Sequence, residues 1–479
     1  MLLAHPTRAA VSFGVLATLL GIAGAWNPSL WTDEVATLNA VSKPWPVLLE
    51  THRHLDAVHA AYYALVKPFT DLAGVGPVTL RLPSAIAAGV VVAVTVRLTW
   101  VLADRRTALL AGVLIATMPV VLGGAIEARS PMFVTAAAAT ACALLVIALE
   151  RRGWWWVAYG AALVVTAAFS LVALSLAAAH AVTVLGTSSS RRAWKGWTAS
   201  VLGACAVIAP LAVASAQQSA QISWIPPLTP VRFAGTYAAA AWFGESVVVG
   251  LLVWAAIALA LVGSGRATTP PGLVRLAVPW LLVPGVCLAI VTVVATPVFV
   301  PRYLAFCAPA AAMLGAAGLA RLQPLPCVAL LGAIVVACAV VGVQQRGDLG
   351  PESTDWKTAS ARIATLAEPG DAVVFHPDGG EPRSPRRALE AYPAGFAGLR
   401  DVGFVSAADS SDDLWGTGRP LEESAATLRA EDRSWALVAR GRVEDSPDVA
   451  RALFARDGLD ARLAWAGPTT FLFALTPAD

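Results

Sequence analysis

Charged residues are scarce in this sequence of 479 residues, since aspartate, glutamate, lysine and arginine together make up only 14% of it. A typical soluble domain carries about 25%. Hydrophobic residues account for 57% of the chain, and the mean hydropathy is +0.67. These values predict a polytopic membrane protein. The net charge of +3 and the lack of a basic stripe with interleaved aromatic residues argue against nucleic-acid binding.

Residues and motifs that mark several other kinds of site are also missing. All six cysteines lie inside apolar stretches, where we expect small buried hydrophobic residues rather than disulfides or metal ligands. The polar tail that follows residue 344 has no glycine-rich phosphate loop, no zinc-type spacing and no nucleophile elbow. The chain also shows no internal repeat. Its distinctive polar residues lie instead in a few short loops.

Long apolar stretches dominate the first 345 residues. A stretch needs about 17–25 mostly apolar residues to cross a bilayer. The sequence predicts about eleven transmembrane helices, and we interpret the first as a retained helix rather than a cleaved signal peptide. The predicted helices lie near 10–27, 80–102, 107–125, 132–149, 154–170, 171–187, 199–217, 246–264, 276–297, 301–320 and 326–344. The segment 59–73 is too short to assign, so interfacial, re-entrant and crossing positions all stay open.

Basic residues collect in alternate loops. If the N-terminus is cytoplasmic, every predicted cytoplasmic loop is short and basic, as the positive-inside rule requires. These loops carry Arg105, Arg106, Arg151, Arg152, Arg191, Arg192, Lys195, Arg266, Arg275 and Arg321. The other loops are then extracytoplasmic, and so is the tail after an odd number of crossings. The sequence therefore predicts a plasma-membrane protein whose distinctive polar residues lie on the extracytoplasmic face.

The tail differs sharply in composition from the rest of the chain. Residues 355–366 have helical spacing, and 372–376 are typical of a buried strand after a turn. Later strand-like runs occur at 434–440, 461–467 and 469–475, and the intervening 377–432 predicts loops and short helices. We therefore expect two domains, a transmembrane domain over 1–345 and a small extracytoplasmic α/β domain over 351–479.

Two adjacent carboxylates, Asp33 and Glu34, stand between tryptophans in the first predicted extracytoplasmic loop, 28–58. Solvated loop charges would be the ordinary explanation for such a pair. An ionisable group at the membrane interface is costly to hold, however, so its presence favours a function. A carboxylate there could act as a general base toward an incoming hydroxyl. Neighbouring residues point in different directions, so one could act as base while the other orients a helper or a metal.

A second polar cluster follows about twenty residues later. On a helix His52, Asp56 and His59 would share a face, with His54 off it. This spacing fits a divalent metal site or a polar wall for a sugar, and it also fits an interfacial helix with one wet face. All three interpretations stay open at this point. Tyr63 follows directly and could stack on a sugar ring.

Further candidates lie in later extracytoplasmic turns. Arg129 and Arg302 could extend to the headgroups or bind a lipid phosphate, for which a planar guanidinium is well suited. Trp224 and Tyr303 could contact a sugar, although interfacial aromatic belts are the commoner explanation. Glu127 lies in the same turn as Arg129.

The order of these pieces resembles the GT-C glycosyltransferases, in which a DE pair follows the first helix. More narrowly, the chain is similar to the dolichyl- or polyprenyl-phosphate-mannose protein mannosyltransferases and aminoarabinose transferases, including a bacterial mannosyltransferase branch. The resemblance spans most of the membrane part. Its pieces are HLDAVHAAYYAL (54–65), RLPSAIAA (81–88), EARSPMF (127–133), QISWIPP (221–227), PRYLAFCAP (301–309) and the tail opening DWKTASARIA (355–364).

The resemblance implies an inverting transfer of one sugar, mannose above all, from a polyprenyl-phosphate donor to a glycan, glycolipid or protein acceptor. It implies that Asp33 is the general base, with Glu34 beside it, and that Arg129 and Arg302 lie near the donor phosphate. The KPP or HPP motif of some relatives is missing here, which leaves the donor sugar and the role of His54 to His59 open. A divalent cofactor stays open too. The alternatives are an arabinosyl-type transferase of the same fold and a transporter of lipid-linked saccharides, although intramembrane charges and inverted repeats typical of transporters are not seen.

Overall fold

The computed structural model describes residues 6–187, 191–262, 269–350, 354–378, 380–409, 413–441 and 446–478. The chain forms two compact units. The first, here the helical unit, contains residues 1–25, 56–65 and 81–343. The second, here the tail unit, contains residues 26–55, 66–80 and 344–479. The domain boundaries at 345 and 351 stay a prediction, and residues 26–55 of the first loop belong to the compact unit that holds the tail.

Helices account for most of the described chain, and many begin at a proline, whose fixed φ and missing N–H suit the first helical position. In chain order they are α1 (Pro6–Ile22), α2 (Thr32–Ser42), α3 (Trp45–His54), α4 (Ala60–Ala73), α5 (Pro77–Leu102), α6 (Arg105–Thr117), α7 (Pro119–Ala125), α8 (Pro131–Arg151), α9 (Trp155–Phe169), α10 (Leu176–Thr187), α11 (Arg191–Gln217), α12 (Pro230–Gly235), α13 (Val247–Val262), α14 (Pro271–Val294), α15 (Ala308–Ala320), α16 (Pro324–Gln345), α17 (Trp356–Leu366), α18 (Arg386–Ala391), α19 (Leu421–Arg429) and α20 (Pro447–Arg456). Short 3₁₀ turns add Ala57–His59, Leu171–Ser175, Ser219–Ile222, Pro301–Cys307 and Pro393–Phe396.

Each predicted apolar stretch overlaps a helix, and the chain is a polytopic membrane protein. Within the described residues, six helices are long and apolar enough to cross a membrane, or seven if α6 and α7, bent by 54° at Met118, count as one span. Four shorter apolar helices cover Pro6–Ile22, Trp155–Phe169, Leu171–Gly186 and Val247–Val262. The number of about eleven crossings therefore stays a prediction. In the segment 59–73, His59 ends a 3₁₀ turn and Ala60–Ala73 form α4, which contains Pro68.

The core of the helical unit is centred on α15, whose residues from Ala308 to Leu319 are all buried. Its composition, rich in alanine and glycine, allows α6 and α13 to approach closely, as small residues do in membrane proteins. A Cβ atom at Gly318 would collide with the carbonyl oxygen of Ala256 on α13. Glycine is therefore required there by the approach of two backbones.

Basic side chains tie several helix ends of this unit together. The guanidinium of Arg106, at the start of α6, donates to the Leu322 carbonyl just after α15 at 2.9 Å. Arg321 donates to the Ala260 carbonyl near the end of α13 at 3.2 Å. The two predicted cytoplasmic loops that carry these arginines therefore lie at one end of the unit, as the alternation of basic loops requires.

The tail unit contains a sheet of five strands in the order β2-β1-β5-β7-β6. β1 pairs in parallel with β2 and β5, whereas β7 runs antiparallel to β5 and β6. A separate antiparallel pair joins β3 and β4. The strands are β1 (Ala372–His376), β2 (Arg400–Asp401), β3 (Phe404–Ser406), β4 (Thr417–Gly418), β5 (Ser434–Ala439), β6 (Leu459–Ala466) and β7 (Thr470–Pro477).

The predicted helix at 355–366 and the four longer strands are confirmed, to within a few residues at their ends. Val374, Ala436, Phe473 and Phe454 are among the buried residues that form one core between the sheet and its helices. The prediction missed β2, β3 and β4, which are two or three residues long. Such short strands are determined by their pairing partners rather than by a local pattern of hydrophobic residues.

Candidate active site

Asp33 and Glu34 lie in the first turn of α2, in the tail unit. The chain enters this helix through Trp31 in extended conformation, and the Trp31 carbonyl accepts the amides of Glu34 and Val35, both at 2.9 Å. Carboxylates are favoured here because the helix N-terminus carries partial positive charge. With 3.6 residues per turn, consecutive side chains project in different directions. Accordingly Glu34 is buried, 1% exposed, while Asp33 is half-buried.

A second cluster, here the Asp56 cluster, consists of Asp56, His59, Tyr63 and Arg129 and lies in the helical unit. Asp56 adopts the left-handed conformation, with φ of 55°. This turn aims its carboxylate at two partners, the Nδ1 atom of His59 at 2.6 Å and the hydroxyl of Tyr63, which donates at 2.6 Å. Arg129 donates to that same hydroxyl at 2.9 Å. Tyr63 thus connects the carboxylate to the guanidinium.

The charge state of Asp56 follows from these neighbours. Burial by itself raises the pKa of this carboxyl, but the charge and hydrogen bond of His59, the charge of Arg129 and the Tyr63 hydroxyl outweigh it. The resulting pKa is about 2, below the ordinary 3.8. Asp56 is therefore a carboxylate at neutral pH, with its oxygens directed to His59 and Tyr63.

The helical face predicted for His52, Asp56 and His59 is wrong. α3 ends at His54, and the left-handed turn at Asp56 separates it from the 3₁₀ turn Ala57–His59. His52 is buried, and its Nδ1 atom lies 3.1 Å from the Leu55 carbonyl oxygen. Within the described parts of the chain, no three His, Cys, Asp or Glu side chains are grouped as a metal site requires. His52, Asp56 and His59 therefore do not share the helix face on which the possible metal site was predicted.

His54 lies at the end of α3, and Glu127 lies in the turn that precedes α8. His54 is exposed on α3, and its Nε2 atom lies 3.4 Å from a Glu50 oxygen. Glu127 is half-buried in the turn before α8, and its carbonyl accepts the amide of Arg129 at 2.9 Å. That turn fixes the backbone from which the Arg129 side chain reaches Tyr63.

A third group, here the Arg302 cluster, consists of Arg302, Trp224 and Tyr303 and also lies in the helical unit. The Arg302 guanidinium carbon is 5.5 Å from the centre of the Trp224 ring and 6.0 Å from that of Tyr303. Such cation–π contacts are worth about 0.5–1 kcal/mol each at exposed sites. Trp224 is 55% exposed, so it holds the arginine while leaving one aromatic side toward solvent or lipid.

Gln218 directly follows α11, and the sequence analysis did not identify it as part of the site. Its side-chain oxygen accepts the Ala57 amide at 2.9 Å and so fixes the backbone between Asp56 and His59. Trp224 of the Arg302 cluster follows six residues later. A polar residue directly after a long apolar helix was the available signal. Gln218 brings the Asp56 cluster to the end of α11, where the chain leads on to the Arg302 cluster.

Comparison with known proteins adds to this geometry. The family model of dolichyl-phosphate-mannose-protein mannosyltransferase matches residues 60–215. ArnT from Cupriavidus metallidurans in the apo state shares the fold, with a TM-score of 0.62, 14% identity and 97% of each chain covered. The same protein bound to undecaprenyl phosphate gives 0.58, 13% identity and 97% of each chain. None of the curated proteins matches the chain.

At these identities the likeness to ArnT establishes the fold, and the family match covers a segment that contains Tyr63 and Arg129. Both findings agree with the resemblance carried by the sequence motifs. The chain is thus a multi-pass membrane protein with the fold of ArnT, and its residues 60–215 are similar to the dolichyl-phosphate-mannose-protein mannosyltransferase family.

Proposed function

We propose that the protein transfers one mannose from a polyprenyl-phosphate donor to a hydroxyl of a cell-envelope glycan, glycolipid or protein, with inversion at the sugar carbon. The observation that carries the proposal is the match of residues 60–215 to a mannosyltransferase family, because this segment supplies Tyr63 and Arg129 of the Asp56 cluster. ArnT bound to undecaprenyl phosphate supports a polyprenyl-phosphate donor in a protein of this fold.

Asp33 is the proposed general base. As the acceptor hydroxyl attacks the anomeric carbon, its proton passes to the Asp33 carboxylate, and the bond from carbon to the donor phosphate oxygen breaks. The half-buried position of Asp33 in the first turn of α2 suits this role, because the carboxylate is held by a helix yet remains reachable. Glu34, buried beside it, is proposed to support the orientation of this turn.

Arg129 and Arg302 are the proposed ligands of the donor phosphate. A guanidinium can donate two parallel hydrogen bonds to phosphate oxygens and stabilises the negative charge that grows on the leaving group. Arg129 is oriented by Tyr63, and Arg302 by the Trp224 ring. His54, Asp56, His59, Glu127 and Tyr303 keep a proposed supporting role around donor and sugar.

The test is a transfer assay on purified protein with radiolabelled polyprenyl-phosphate mannose and a membrane glycolipid extract. Asp33→Asn should abolish label transfer while the protein still folds. Asp448→Asn is a matched control, because Asp448 also lies in the first turn of a helix but is 84% exposed in the tail. Full transfer by Asp33→Asn would reject Asp33 as the base.

The donor sugar needs its own experiment. The resemblance of the sequence motifs leaves an arabinosyl-type transferase of the same fold open, so an arabinose-type sugar is the second candidate. Polyprenyl-phosphate arabinose should give no product if the donor is mannose. Product from the arabinose donor alone would keep the enzyme class and replace the sugar.

The proposed side of the membrane can be tested by a reporter fused after residue 479. An alkaline phosphatase fused there should be active, because that reporter needs the extracytoplasmic compartment, and a fused cytoplasmic fluorescent reporter should stay dark. The opposite pattern would move the tail to the cytoplasm.

A further inference from the structure

The helix that carries Asp33 and Glu34 is bonded to the tail sequence on both sides of this pair. All the groups involved belong to the tail unit. Two of the partners are Glu390 on α18 and Tyr392 at its C-terminal end, which lie 351 and 362 positions of sequence from Asn39 and Leu30. Tail residues therefore hold the helix that carries Asp33 and Glu34, which the composition of the tail did not suggest.

The first attachment lies toward the C-terminal end of α2. Asn39 donates from its side-chain amide to Glu390 on α18 at 2.8 Å and to the Leu414 carbonyl at 2.8 Å. One turn later the Lys43 ammonium donates to the Ala408 carbonyl. Because Lys43 directly follows the last residue of α2, these three hydrogen bonds fix the C-terminal part of the helix.

The second attachment lies just before α2. The Leu30 amide donates to the hydroxyl of Tyr392, the residue that ends α18, at 2.7 Å. The Ser29 amide donates to the Asp348 carbonyl at 2.8 Å. Glu390 and Tyr392 therefore hold positions 39 and 30, which flank Asp33 and Glu34 in the sequence.

α18 has only six residues, but buried charges hold it firmly. Arg386 forms ion pairs with Asp378 at 2.7 Å and with Asp401. The fully buried Arg387 donates to Glu390 at 2.5 Å, and the Gly416 amide donates to the same carboxylate oxygen at 2.9 Å. Because an unpaired buried charge is very costly, these partners leave the Glu390 carboxylate little freedom to move.

We infer that Glu390 and Tyr392 are positioning residues that set the orientation of Asp33 through α2. The inference rests on the proposed role of Asp33 as base. α2 is eleven residues long, and hydrogen bonds at Leu30 and Asn39 fix the helix direction at two separated points. Since a displacement of about 1 Å at a reacting group can lower a rate about a hundredfold, loosening either attachment affects the chemical step.

Two mild substitutions test this. Tyr392→Phe removes only the hydroxyl that accepts the Leu30 amide. Asn39→Ala removes both side-chain hydrogen bonds to the tail, while alanine keeps α2 helical. Each should lower kcat between about threefold and tenfold, and the double variant between about tenfold and a hundredfold. The KM for the lipid donor should stay within about twofold, because its proposed ligands lie in the helical unit.

Hydrogen exchange of the full-length protein supplies a readout that does not depend on activity. Amides of residues 30–40 should exchange faster in both variants, with protection elsewhere unchanged. Asp371→Asn is the control, because Asp371 accepts hydrogen bonds from Trp435 and Arg433 inside the tail and should change neither kcat nor exchange over 30–40.

The outcomes separate this inference from the proposed function. An inactive wild-type protein would reject the proposed donor or reaction. An active wild type with unchanged kcat in the double variant, although 30–40 exchanges faster, would overturn the positioning role. Unchanged exchange would overturn the attachment itself. A loss of kcat in step with a rise in donor KM would also count against it, since that pattern indicates damage to donor binding.

Discussion

Asp56→Asn is the most quantitative test of the Asp56 cluster. The substitution keeps the shape of the side chain and an oxygen that can accept a hydrogen bond, but it removes the negative charge. In the folded protein the carboxylate interacts with His59 and Arg129 and accepts a hydrogen bond from the Tyr63 hydroxyl. We expect the variant to fold with lower stability and with Arg129 less firmly oriented.

The magnitude follows from the pKa of Asp56. Its value of about 2, against 3.8 ordinarily, means that the folded state binds the proton less tightly than the unfolded chain does. At about 1.4 kcal/mol per pKa unit, the ionised carboxylate contributes about 2 kcal/mol of stability at neutral pH. Asp56→Asn should therefore lower the free energy of unfolding by about 2 kcal/mol at pH 7.

The pH dependence has a definite sign. Because the folded pKa is lowered, the contribution is fully present above the unfolded value of 3.8 and is lost as the pH falls toward 2. Chemical unfolding in mixed micelles, followed by tryptophan fluorescence, should give the same difference between wild type and variant at pH 7 and pH 5. At pH 3 the difference should fall to about half.

Asp448→Asn is again the control. Because that carboxylate is exposed, the substitution should change the free energy of unfolding little at pH 7, 5 or 3. A loss of stability in Asp56→Asn that is equal at pH 7 and pH 3 would refute the electrostatic explanation and indicate a steric cause. No loss at pH 7 would show that burial of the charge cancels its partners, and the value of about 2 for the pKa would then be wrong.

Two further predictions concern the helical unit. Arg302→Lys should raise the KM for the lipid donor several-fold with little change in kcat. The reason is that lysine cannot donate two parallel hydrogen bonds to a phosphate or stack on Trp224 as arginine does. An unchanged KM would show that Arg302 does not bind the donor. Gly318→Ala should destabilise the protein by about 1–3 kcal/mol through overpacking against α13, measured by thermal unfolding. Gly332→Ala on α16 is the control, because a Cβ atom there meets no neighbour within 4 Å. It should be neutral or stabilising by up to about 1 kcal/mol. An equal loss of stability in both variants would contradict the packing argument.

The membrane helices could be located from the sequence because each is encoded locally. An apolar run of the right length needs no knowledge of its neighbours to be recognised. The same holds for β1, because the first four of its five residues form a continuous apolar run and all four are buried. The bend between α6 and α7 was not foreseen, although Pro119 follows Met118 and is compatible with a new helix start there.

The geometry of the polar residues was less predictable, because it depends on partners that are remote in sequence. The helical spacing of His52, Asp56 and His59 suggested one helix, yet Asp56 adopts a positive φ that a local pattern does not encode. Its conformation is supported by Tyr63 and by Gln218, 161 positions beyond Ala57. No spacing rule within residues 52–59 contains that information.

Residues 26–63 looked like a single polar patch in the sequence, but they serve two different structural purposes. The segment before Asp56 carries α2, whose direction is fixed by Glu390 and Tyr392 within the tail unit. The segment from Asp56 onward is held by Arg129 within the helical unit. The proposed base and one proposed phosphate ligand thus draw their support from different sets of contacts. It follows that damage to either support should have its own signature, a loss of kcat for α2 and a change in donor binding for the Asp56 cluster.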